Sequence, residues 1–341
     1  MPRYAITPRS RLLPQRTPII ELAANQLVEG VFAIQNCQLG QTKSGKPYIK
    51  CLIADASTRV PGRMWNASEE LFSILPTDGF VYLEGQTQPY QGEMQIIINR
   101  IEPATPTAAE LAELLPHTQF DIDEMFAELT GRIGAIRHPG LAALAQAYLD
   151  DQALMDRFKQ APAAMALHHA FIGGLLEHTL HLLRLAEAIC PLYPQINAEL
   201  VTMGLFLHDL GKCQELTWEQ GFGYSDDGQL VGHIARGAIW LERKAEDCRA
   251  MGAAISDELL MVLQHIILSH HGQPEFGALK IPSTPEALAV SLIDNLDAKM
   301  QMVLAAGRGE STKAESVGGN FTEKIWALNT RIYRPDPAAA D

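Results

Sequence analysis

Residues 205–212 of this 341-residue chain read Leu-Phe-Leu-His-Asp-Leu-Gly-Lys. An apolar helix is predicted to end here in two adjacent ionisable residues, His208 and Asp209, with Gly211 as a helix-stop residue. Burying an imidazole and a carboxylate without partners would be costly. A divalent transition metal ion would satisfy both. One His-Asp pair has low specificity, so its meaning depends on residues elsewhere in the chain.

Other apolar segments place the same kinds of side chain in or at the ends of predicted helices. Their candidate ligands are His178, His233, His270, His271 and Asp294. One such histidine alone would more often be a core residue whose hydrogen bonds are made within the protein. With the His208–Asp209 pair, five helices contribute, and helical bundles build metal centres from side chains on facing helices. The pattern therefore favours one shared inner metal site.

Residues 19–103 have the pattern of a small β domain. Apolar runs at 31–34, 48–54, 60–65, 80–83 and 94–101 alternate with turn residues. Asn66 is predicted to cap a short helix at 67–75, with Glu69 completing a capping box. Five strands with a helix between the third and fourth are the order of an OB-fold β-barrel.

From residue 121 the apolar period becomes helical. Helices are predicted at 121–136, 139–149, 151–160, 173–189, 197–209, 231–251, 256–270, 284–304 and 320–329, with a small hairpin within 214–229. We expect a multi-domain α+β chain. Its parts are a basic extended arm or solvated tail (1–18), the OB-fold domain (19–103), a linker (104–120), an all-α domain (121–330, core about 165–300) and a tail (331–341). Residues 307–320, rich in Gly and Ser, are expected to be mobile.

Composition narrows the function classes. The apolar share of 47% is too high for a disordered protein. No apolar stretch approaches the ~20 residues that cross a bilayer, and the N-terminus lacks a secretory signal. The five cysteines form no close pair and indicate free thiols in a reducing cytoplasm. The net charge of −13 argues against non-specific binding to nucleic acid, although a local basic patch remains compatible with it.

Five segments together carry a family resemblance. They are Gly-Gly-Leu-Leu-Glu-His-Thr (173–179), the 205–212 stretch, Gly-His-Ile (232–234), Leu-Ser-His-His-Gly (268–272) and Ile-Asp-Asn-Leu-Asp-Ala-Lys (293–299). Their order resembles the HD superfamily of metal-dependent phosphohydrolases, and more closely the YhaM-type 3′–5′ exoribonucleases, in which an OB-fold precedes the HD domain. The resemblance implies a helical HD core, two divalent ions and removal of nucleotides from a 3′ end. Manganese is the leading expectation, with Mg²⁺, Co²⁺, Fe²⁺, Ni²⁺ and Zn²⁺ as alternatives.

The resemblance also implies roles for the candidate ligands. The first metal would be bound by His178, His208, Asp209 and Asp294. Asp209 would bridge to a second metal bound by His233 and by His270 or His271, a choice that stays open. Two such ions would activate a shared water for in-line attack on phosphorus. Lys212 is a candidate catalytic cation for a phosphate oxygen, or else it complements a helix dipole.

Neighbouring residues have candidate supporting or substrate-contacting roles. Asp297, three residues after Asp294, is predicted to accept a histidine N–H. Glu177 would orient ligands or bind water, or else be exposed. His169 would line a phosphate pocket, or else cap or pack. Phe276 would stack a base, or else pack its loop. His117, His138, His181 and His265 are predicted to be structural.

The predicted barrel offers a candidate nucleic-acid face. Alternation puts Tyr48 and Lys50 on one face of the second strand, and Arg63 and Trp65 on one face of the third. OB-folds bind single strands with such aromatics and cations. Residues 17–105 nevertheless contain six Lys or Arg and nine Asp or Glu, a net charge of −3. Alternatively, Tyr48 and Trp65 are core residues of the barrel and do not bind nucleic acid.

Three functions follow as hypotheses. The leading one is a 3′–5′ exoribonuclease that releases nucleoside 5′-monophosphates from single-stranded RNA, with single-stranded DNA as a further substrate. The second is an HD-type phosphodiesterase or phosphatase for small nucleotides. The third is a non-catalytic factor that binds single-stranded nucleic acid. No membrane partner is expected, and a homo-oligomer is left open.

Overall fold

The computed structural model describes residues 16–42, 44–90, 93–165, 169–219, 221–307, 320–322 and 324–335. The chain divides into two compact units, with the boundary between Pro116 and His117. The expected arm at 1–18 falls outside the described residues up to residue 15, as does the expected mobile segment from 308 to 319. The expected tail lies outside them from residue 336.

The first unit is a closed barrel of five strands. They are β1 (Leu27–Gln41), β2 (Pro47–Ala54), β3 (Arg59–Trp65), β4 (Gly79–Tyr90) and β5 (Glu93–Pro103), in the order β1-β2-β3-β5-β4. β3 and β5 pair in parallel, and the other neighbours are antiparallel. Helix α1 (Glu69–Ile74) lies between β3 and β4. The five-stranded OB-fold barrel predicted from the sequence is confirmed.

Alternation of side chains explains why the strands extend beyond the apolar runs. Inward positions such as Phe32, Ile49 and Val81 are fully buried, while polar residues between them face solvent. A strand with one solvent-exposed face includes polar residues, and these interrupt the apolar run without ending the strand. This is the case in β1 and β4.

The residue predicted to cap α1 is wrong. Ser68, not Asn66, caps the helix: its hydroxyl accepts the N–H of Leu71 over 3.1 Å. Asn66 instead takes a left-handed conformation with φ 55°, which asparagine tolerates better than most residues. Within the expected linker, helix α2 (Ala108–Leu114) has a capping box between Thr107 and Glu110.

The second unit is helical. Its first five helices are α3 (Ile122–Gly134), α4 (Pro139–Leu149), α5 (Gln152–Gln160), α6 (Gly174–Ile189) and α7 (Ala198–Leu207). Short elements follow α7. Helix α8 (Lys212–Glu215) leads into the two-stranded pair β6 (Leu216–Thr217) and β7 (Gly223–Tyr224), and helix α9 (Asp226–Leu230) comes next. The hairpin predicted within 214–229 is present as these two strands, and a short helix flanks it on each side.

Three long helices complete this unit. They are α10 (His233–Ala250), α11 (Asp257–Ser269) and α12 (Pro285–Gly307). α7 packs against α6, α11 and α12, so its nearly uniform apolar sequence is buried on several sides. Across the described ranges, no helix combines the length and apolar character that a membrane crossing requires.

The helix predicted at 320–329 is wrong. Isolated bridges join Phe321 to Tyr333 and Ile325 to Thr330. Among the described residues of this range, only Trp326–Leu328 forms a 3₁₀ turn. Asn329 takes φ 52°, a left-handed conformation that reverses the chain rather than continuing a helix. Backbone bonds such as Thr322 N to Ile332 O, 2.9 Å, therefore run between two chain segments.

Candidate metal centre

The predicted ligands lie together inside the helical unit. His178 lies in α6, His208 and Asp209 follow α7, His233 begins α10, His270 and His271 follow α11, and Asp294 lies in α12. At most 3% of the surface of His178, His208, Asp209 and His270 is exposed. Five helices thus contribute to one cluster.

A close approach between two chain segments makes this convergence possible. Gly211 lies where the turn after α7 meets the start of α10, and a Cβ built on it would be 2.1 Å from the carbonyl oxygen of His233. Any side chain at this position would separate the two segments. Gly211 therefore allows His233 to approach Asp209.

Two sets of ligand atoms share Asp209. One comprises His178, His208 and Asp209, and the other Asp209, His233, His270 and His271; within each set the atoms lie within 4.8 Å of one another. Oδ2 of Asp209 is 3.3 Å from His208 Nε2. Its Oδ1 is 3.4 Å from His270 Nε2 and 3.5 Å from His233 Nε2. Asp209 therefore faces the two sets with different oxygens.

Asp294 extends the first set. Its Oδ1 is 3.3 Å from His178 Nε2 and 4.0 Å from His208 Nε2. The two carboxylates and two imidazoles of that set make a mixed nitrogen and oxygen donor set. The second set has three imidazoles and one carboxylate.

Several atoms at this centre are buried polar groups without a hydrogen-bond partner in the described part of the chain. They are His208 Nε2, Asp209 Oδ1, His233 Nε2 and His270 Nε2. Such groups are rare because each carries a desolvation penalty of about 1–3 kcal/mol. They converge here, and imidazole nitrogen and carboxylate oxygen suit divalent transition metals. The residues therefore fit two metal ions that share Asp209.

Asp209 and Lys212 form an ion pair beside these atoms. Lys212 Nζ donates to Asp209 Oδ2 over 2.6 Å. Burial on its own raises the pKa of Asp209, but the charges and hydrogen bonds around it, first of all the Lys212 ammonium, outweigh burial and hold this pKa well below its ordinary value. Burial lowers the pKa of Lys212, and Asp209 more than offsets that effect, so the pKa is raised. Both groups are charged at neutral pH.

His271, in contrast, is neutral at neutral pH. Burial and the neighbouring His270 lower the pKa of His271 to about 4. Burial also lowers the pKa of His270. Neutral imidazole is the form that coordinates a metal.

Backbone oxygens orient two of the ligand histidines. His208 Nδ1 donates to Leu205 O over 2.8 Å, and His270 Nδ1 donates to Ile267 O over 2.7 Å. Because a carbonyl oxygen only accepts, the proton lies on Nδ1 in each ring. Nε2 then presents a lone pair to the centre.

Carboxylates orient two others. His178 Nδ1 donates to Asp297 Oδ2 over 2.9 Å, and His233 Nδ1 lies 2.8 Å from Glu215 Oε2. A carboxylate behind a ligand histidine fixes its tautomer and ring orientation. Burial raises the pKa of Glu215, but the hydrogen bonds from His233 outweigh burial and lower it, so this carboxylate is ionised.

Asp297 is shared by further histidines. It also accepts a hydrogen bond from His169 Nε2 over 3.0 Å, and its Oδ1 lies 3.6 Å from His181 Nδ1. His169, His181 and Asp297 form a third group whose donor atoms could hold a metal. The hydrogen bond from His178 to Asp297 favours a supporting role for this group.

The remaining predicted residues lie around the centre. Glu177 is buried, so the expected alternative of an exposed helix position is wrong. Its Oε2 accepts from Thr118 Oγ1 over 2.5 Å, and its Oε1 lies 3.6 Å from His169 Nδ1. Phe276 is 73% exposed, so the packing alternative is wrong. Its carbonyl oxygen accepts from His271 Nδ1 over 2.7 Å.

The barrel unit has its own cluster of aromatic and basic residues. Tyr48 lies opposite Trp65, and Lys50 lies opposite Arg63, so all four share the outer face. The rings of Tyr48 and Trp65 are 5.3 Å apart, and the Arg63 guanidinium lies 5.9 Å from the Trp65 ring. Trp65 is 45% exposed, which excludes the core alternative for it. Tyr90, which the sequence reasoning missed, lies 5.8 Å from the same guanidinium and is 51% exposed.

Glu215 was also missed. Its partner His233 lies 18 positions later, beyond an irregular interval, and no periodicity pairs the two residues. Tyr90 is the last residue of β4, and an aromatic residue at the end of a predicted strand is the signal that could have identified it.

The fold and this centre define an HD-domain protein. The profile of the family described as HD domain matches residues 175–299, which include the seven predicted ligands. A 3′-5′ exoribonuclease YhaM of Geobacillus sp. (strain WCH70) is 33% identical over 319 residues, covering 93% of this chain and 94% of the relative. The chain belongs to the YhaM family of 3′–5′ exoribonucleases, and the expected family is confirmed.

A second relative and one solved structure are also similar to this chain. A 3′-5′ exoribonuclease YhaM of Listeria welshimeri serovar 6b is 32% identical over 322 residues, covering 93% of this chain and 98% of the relative. Among solved structures, the second OB-fold domain of replication protein A from Methanococcus maripaludis matches with a TM-score of 0.22 and 15% identity. That match covers 27% of this chain and 98% of that chain.

Proposed function

We propose that this chain is a two-metal 3′–5′ exoribonuclease that releases nucleoside 5′-monophosphates from single-stranded RNA. The observation that carries the proposal is the pair of ligand sets sharing Asp209, with their buried polar atoms that lack partners in the described chain. The printed names of the relatives, 3′-5′ exoribonuclease YhaM, supply the substrate class and polarity. Manganese is the leading candidate for the metal, with Mg²⁺, Co²⁺, Fe²⁺, Ni²⁺ and Zn²⁺ as alternatives.

The residues would divide the chemistry as follows. When bound, two such ions supply Lewis acidity and lower the pKa of a shared water. His178, His208, Asp209 and Asp294 would hold one ion, and Asp209 with His233 and His270 would hold the other. His271 is a further donor to the second. Lys212 keeps a positive charge beside Asp209 and is the candidate cation for a non-bridging phosphate oxygen.

The outer face of the barrel would hold the substrate strand. Trp65, Tyr48 and Tyr90 offer rings on which bases stack, and Lys50 and Arg63 supply positive charge for the backbone. This local cluster accommodates a polyanion on a barrel whose net charge is negative. Phe276 beside His271 and the buried His169 are further candidate substrate contacts, and single-stranded DNA is a further candidate substrate.

An alternative function is hydrolysis of small nucleotides. The same metal ligands serve that chemistry, and the net charge of −13 favours a small substrate over a long polyanion. A non-catalytic binding factor is disfavoured, because it would not require seven metal ligands. A cytoplasmic location completes the proposal, supported by five free, buried cysteines.

A degradation assay separates these functions. Full-length protein with Mn²⁺ should shorten a 5′-labelled single-stranded RNA from its 3′ end and release 5′-mononucleotides. A circular RNA of the same sequence should resist, because it has no 3′ end. Asp294→Asn should lose the activity, and the matched control Asp247→Asn, an exposed position on α10, should keep it.

Two results would contradict the exoribonuclease proposal. One is inert protein that nevertheless contains its full metal complement. The other is turnover of cyclic nucleotides or nucleoside triphosphates alone, which would establish the small-nucleotide alternative.

A further inference from the structure

Glu215, the last residue of α8, holds His233 at two points. Its Oε2 is 2.8 Å from His233 Nδ1, and its Oε1 accepts the backbone N–H of His233 over 3.2 Å. Only 12% of either side chain is exposed. One carboxylate therefore holds both the ring and the backbone of a predicted metal ligand.

The ring contact determines which nitrogen of His233 is available. An ionised carboxylate only accepts hydrogen bonds, so the imidazole proton lies on Nδ1. Nε2 is then left with a lone pair. That atom is buried, has no hydrogen-bond partner in the described structure, and lies 3.5 Å from Asp209 Oδ1.

The backbone contact determines where His233 lies. Residues 216–232, called the excursion below, include β6, β7 and α9 and connect Glu215 to His233. Glu215 closes this excursion, because its carbonyl oxygen also accepts the N–H of Ser225 over 2.9 Å. A Cβ built on Gly228 would be 2.4 Å from that oxygen, so the excursion packs tightly on Glu215.

We infer that Glu215 is the positioning residue of the second metal. It fixes the tautomer and orientation of His233, and it anchors the residue 216–232 excursion to the ligand that begins α10. Asp297 has the corresponding position behind His178 in the first set. The two sets therefore have separate carboxylate supports, on α8 and α12. The inference rests on the proposed two-metal function.

Metal titration of Glu215 variants tests it. Full-length protein stripped of metal is titrated with Mn²⁺ by calorimetry, and bound metal is counted after desalting. Glu215→Ala should weaken one of two sites by about 10- to 100-fold and leave the other unchanged. Glu215→Gln should also weaken it, since an amide has one acceptor oxygen for the two N–H groups of His233. Glu215→Asp keeps the charge on a shorter side chain and should retain more affinity.

A matched control comes from the same excursion. Glu219 is mostly exposed and pairs with Arg157 over 3.2 Å. Glu219→Gln should bind both ions as the wild type does. Thermal unfolding of the metal-free variants provides a second readout, because a merely structural role would weaken both sites together with metal-free stability.

The outcomes distinguish this inference from the proposed function. Two sites of wild-type affinity in Glu215→Ala, or equal weakening of both, would overturn the inference. A wild type that binds a single ion would contradict the two-metal proposal. In that case, loss of this ion in Glu215→Ala but not in Glu219→Gln would support Glu215 as its positioning residue, and unchanged binding would overturn that role.

Discussion

At the scale of single residues, Asp209 is the carboxylate that contacts both ligand sets and the buried Lys212. Its Oδ2 accepts from Lys212, and its Oδ1 faces His233 and His270. The sequence alone identified Asp209 and the histidines, because each lies within or at the end of a predicted helix in an apolar segment. It could not identify Glu215, since that contact depends on where the excursion of residues 216–232 returns. The division between two metals stays a prediction.

Asp209→Asn should destabilise the protein as well as inactivate it. The change leaves the buried Lys212 ammonium without its charged partner, and breaking a buried pair in this way costs about 3–5 kcal/mol. Asp209→Asn/Lys212→Met should recover most of that loss and remain inactive. Chemical denaturation of metal-free proteins measures the coupling. Additive losses in the double variant would contradict the account of the pair.

Gly211→Ala should weaken metal binding through the backbone. A Cβ there would be 2.1 Å from His233 O, so α10 would have to move away from Asp209. Lower thermal stability and weaker Mn²⁺ binding are expected. The control is Gly131→Ala in α3, where a Cβ would meet no described atom outside its own helix backbone within 4 Å. That change should stabilise by about 0.5–1 kcal/mol. Unchanged metal affinity in Gly211→Ala would contradict the close-approach argument.

At the scale of elements, apolar periodicity located the helices that carry the ligands. The observed bounds of α3 to α7 and α10 to α12 lie within about three residues of those expected, because each buries a stripe against several neighbours. Periodicity failed at 320–329, where backbone bonds between two chain segments replaced a helix. It also misplaced the cap of α1, because Asn66 and Ser68 are both good capping residues and only the backbone conformation distinguishes them.

An ion-pair network links α3 to α6 and should contribute stability that depends on pH. Glu128 accepts from Arg184 and Arg132 over 2.6 and 2.8 Å. These hydrogen bonds lower the pKa of Glu128 to about 2. Because the folded pKa is below the unfolded value of about 4.3, the contribution is complete above that value and is lost as the pH falls through about 2.

Glu128→Gln measures this contribution. The Glu128 side chain is 36% exposed, so solvent screening limits the loss of unfolding free energy at pH 7 to at most about 1 kcal/mol. Urea midpoints between pH 7 and pH 2.5 should show the difference from wild type shrinking below pH 4.5. Glu246→Gln on α10 is the exposed control. A difference between the two proteins that grows on acidification would contradict the stabilising role of the ionised Glu128 carboxylate.

At the scale of the whole molecule, the two units contribute different parts of the proposed activity. The candidate base-stacking face belongs to the barrel, and the metal ligands belong to the helical unit. The sequence located this division, because the apolar period changes from two to 3.6 between the units. It did not indicate that Tyr90 accompanies Trp65 and Arg63, since that contact joins separate strands of a closed barrel.

Trp65→Ala should therefore separate strand binding from chemistry. Loss of a stacking ring costs about 1–3 kcal/mol per base, which is roughly 5- to 150-fold in Kd for a single-stranded oligonucleotide. Mn²⁺ binding should not change. Tyr193→Ala, an aromatic 53% exposed in the helical unit, is the control. Equal oligonucleotide affinity in wild type and Trp65→Ala would remove the barrel face from the proposal.

The order of the ligands along the chain has a consequence for protein synthesis. The barrel strands are complete by Pro103, whereas the metal ligands extend from His178 to Asp294. Domains fold largely in the order in which they are synthesised. A nascent chain thus has its candidate RNA-binding face long before α12 supplies the last carboxylate. A product of premature termination between residues 103 and 294 would retain that face with an incomplete first metal site, and would compete for strands that it cannot cut.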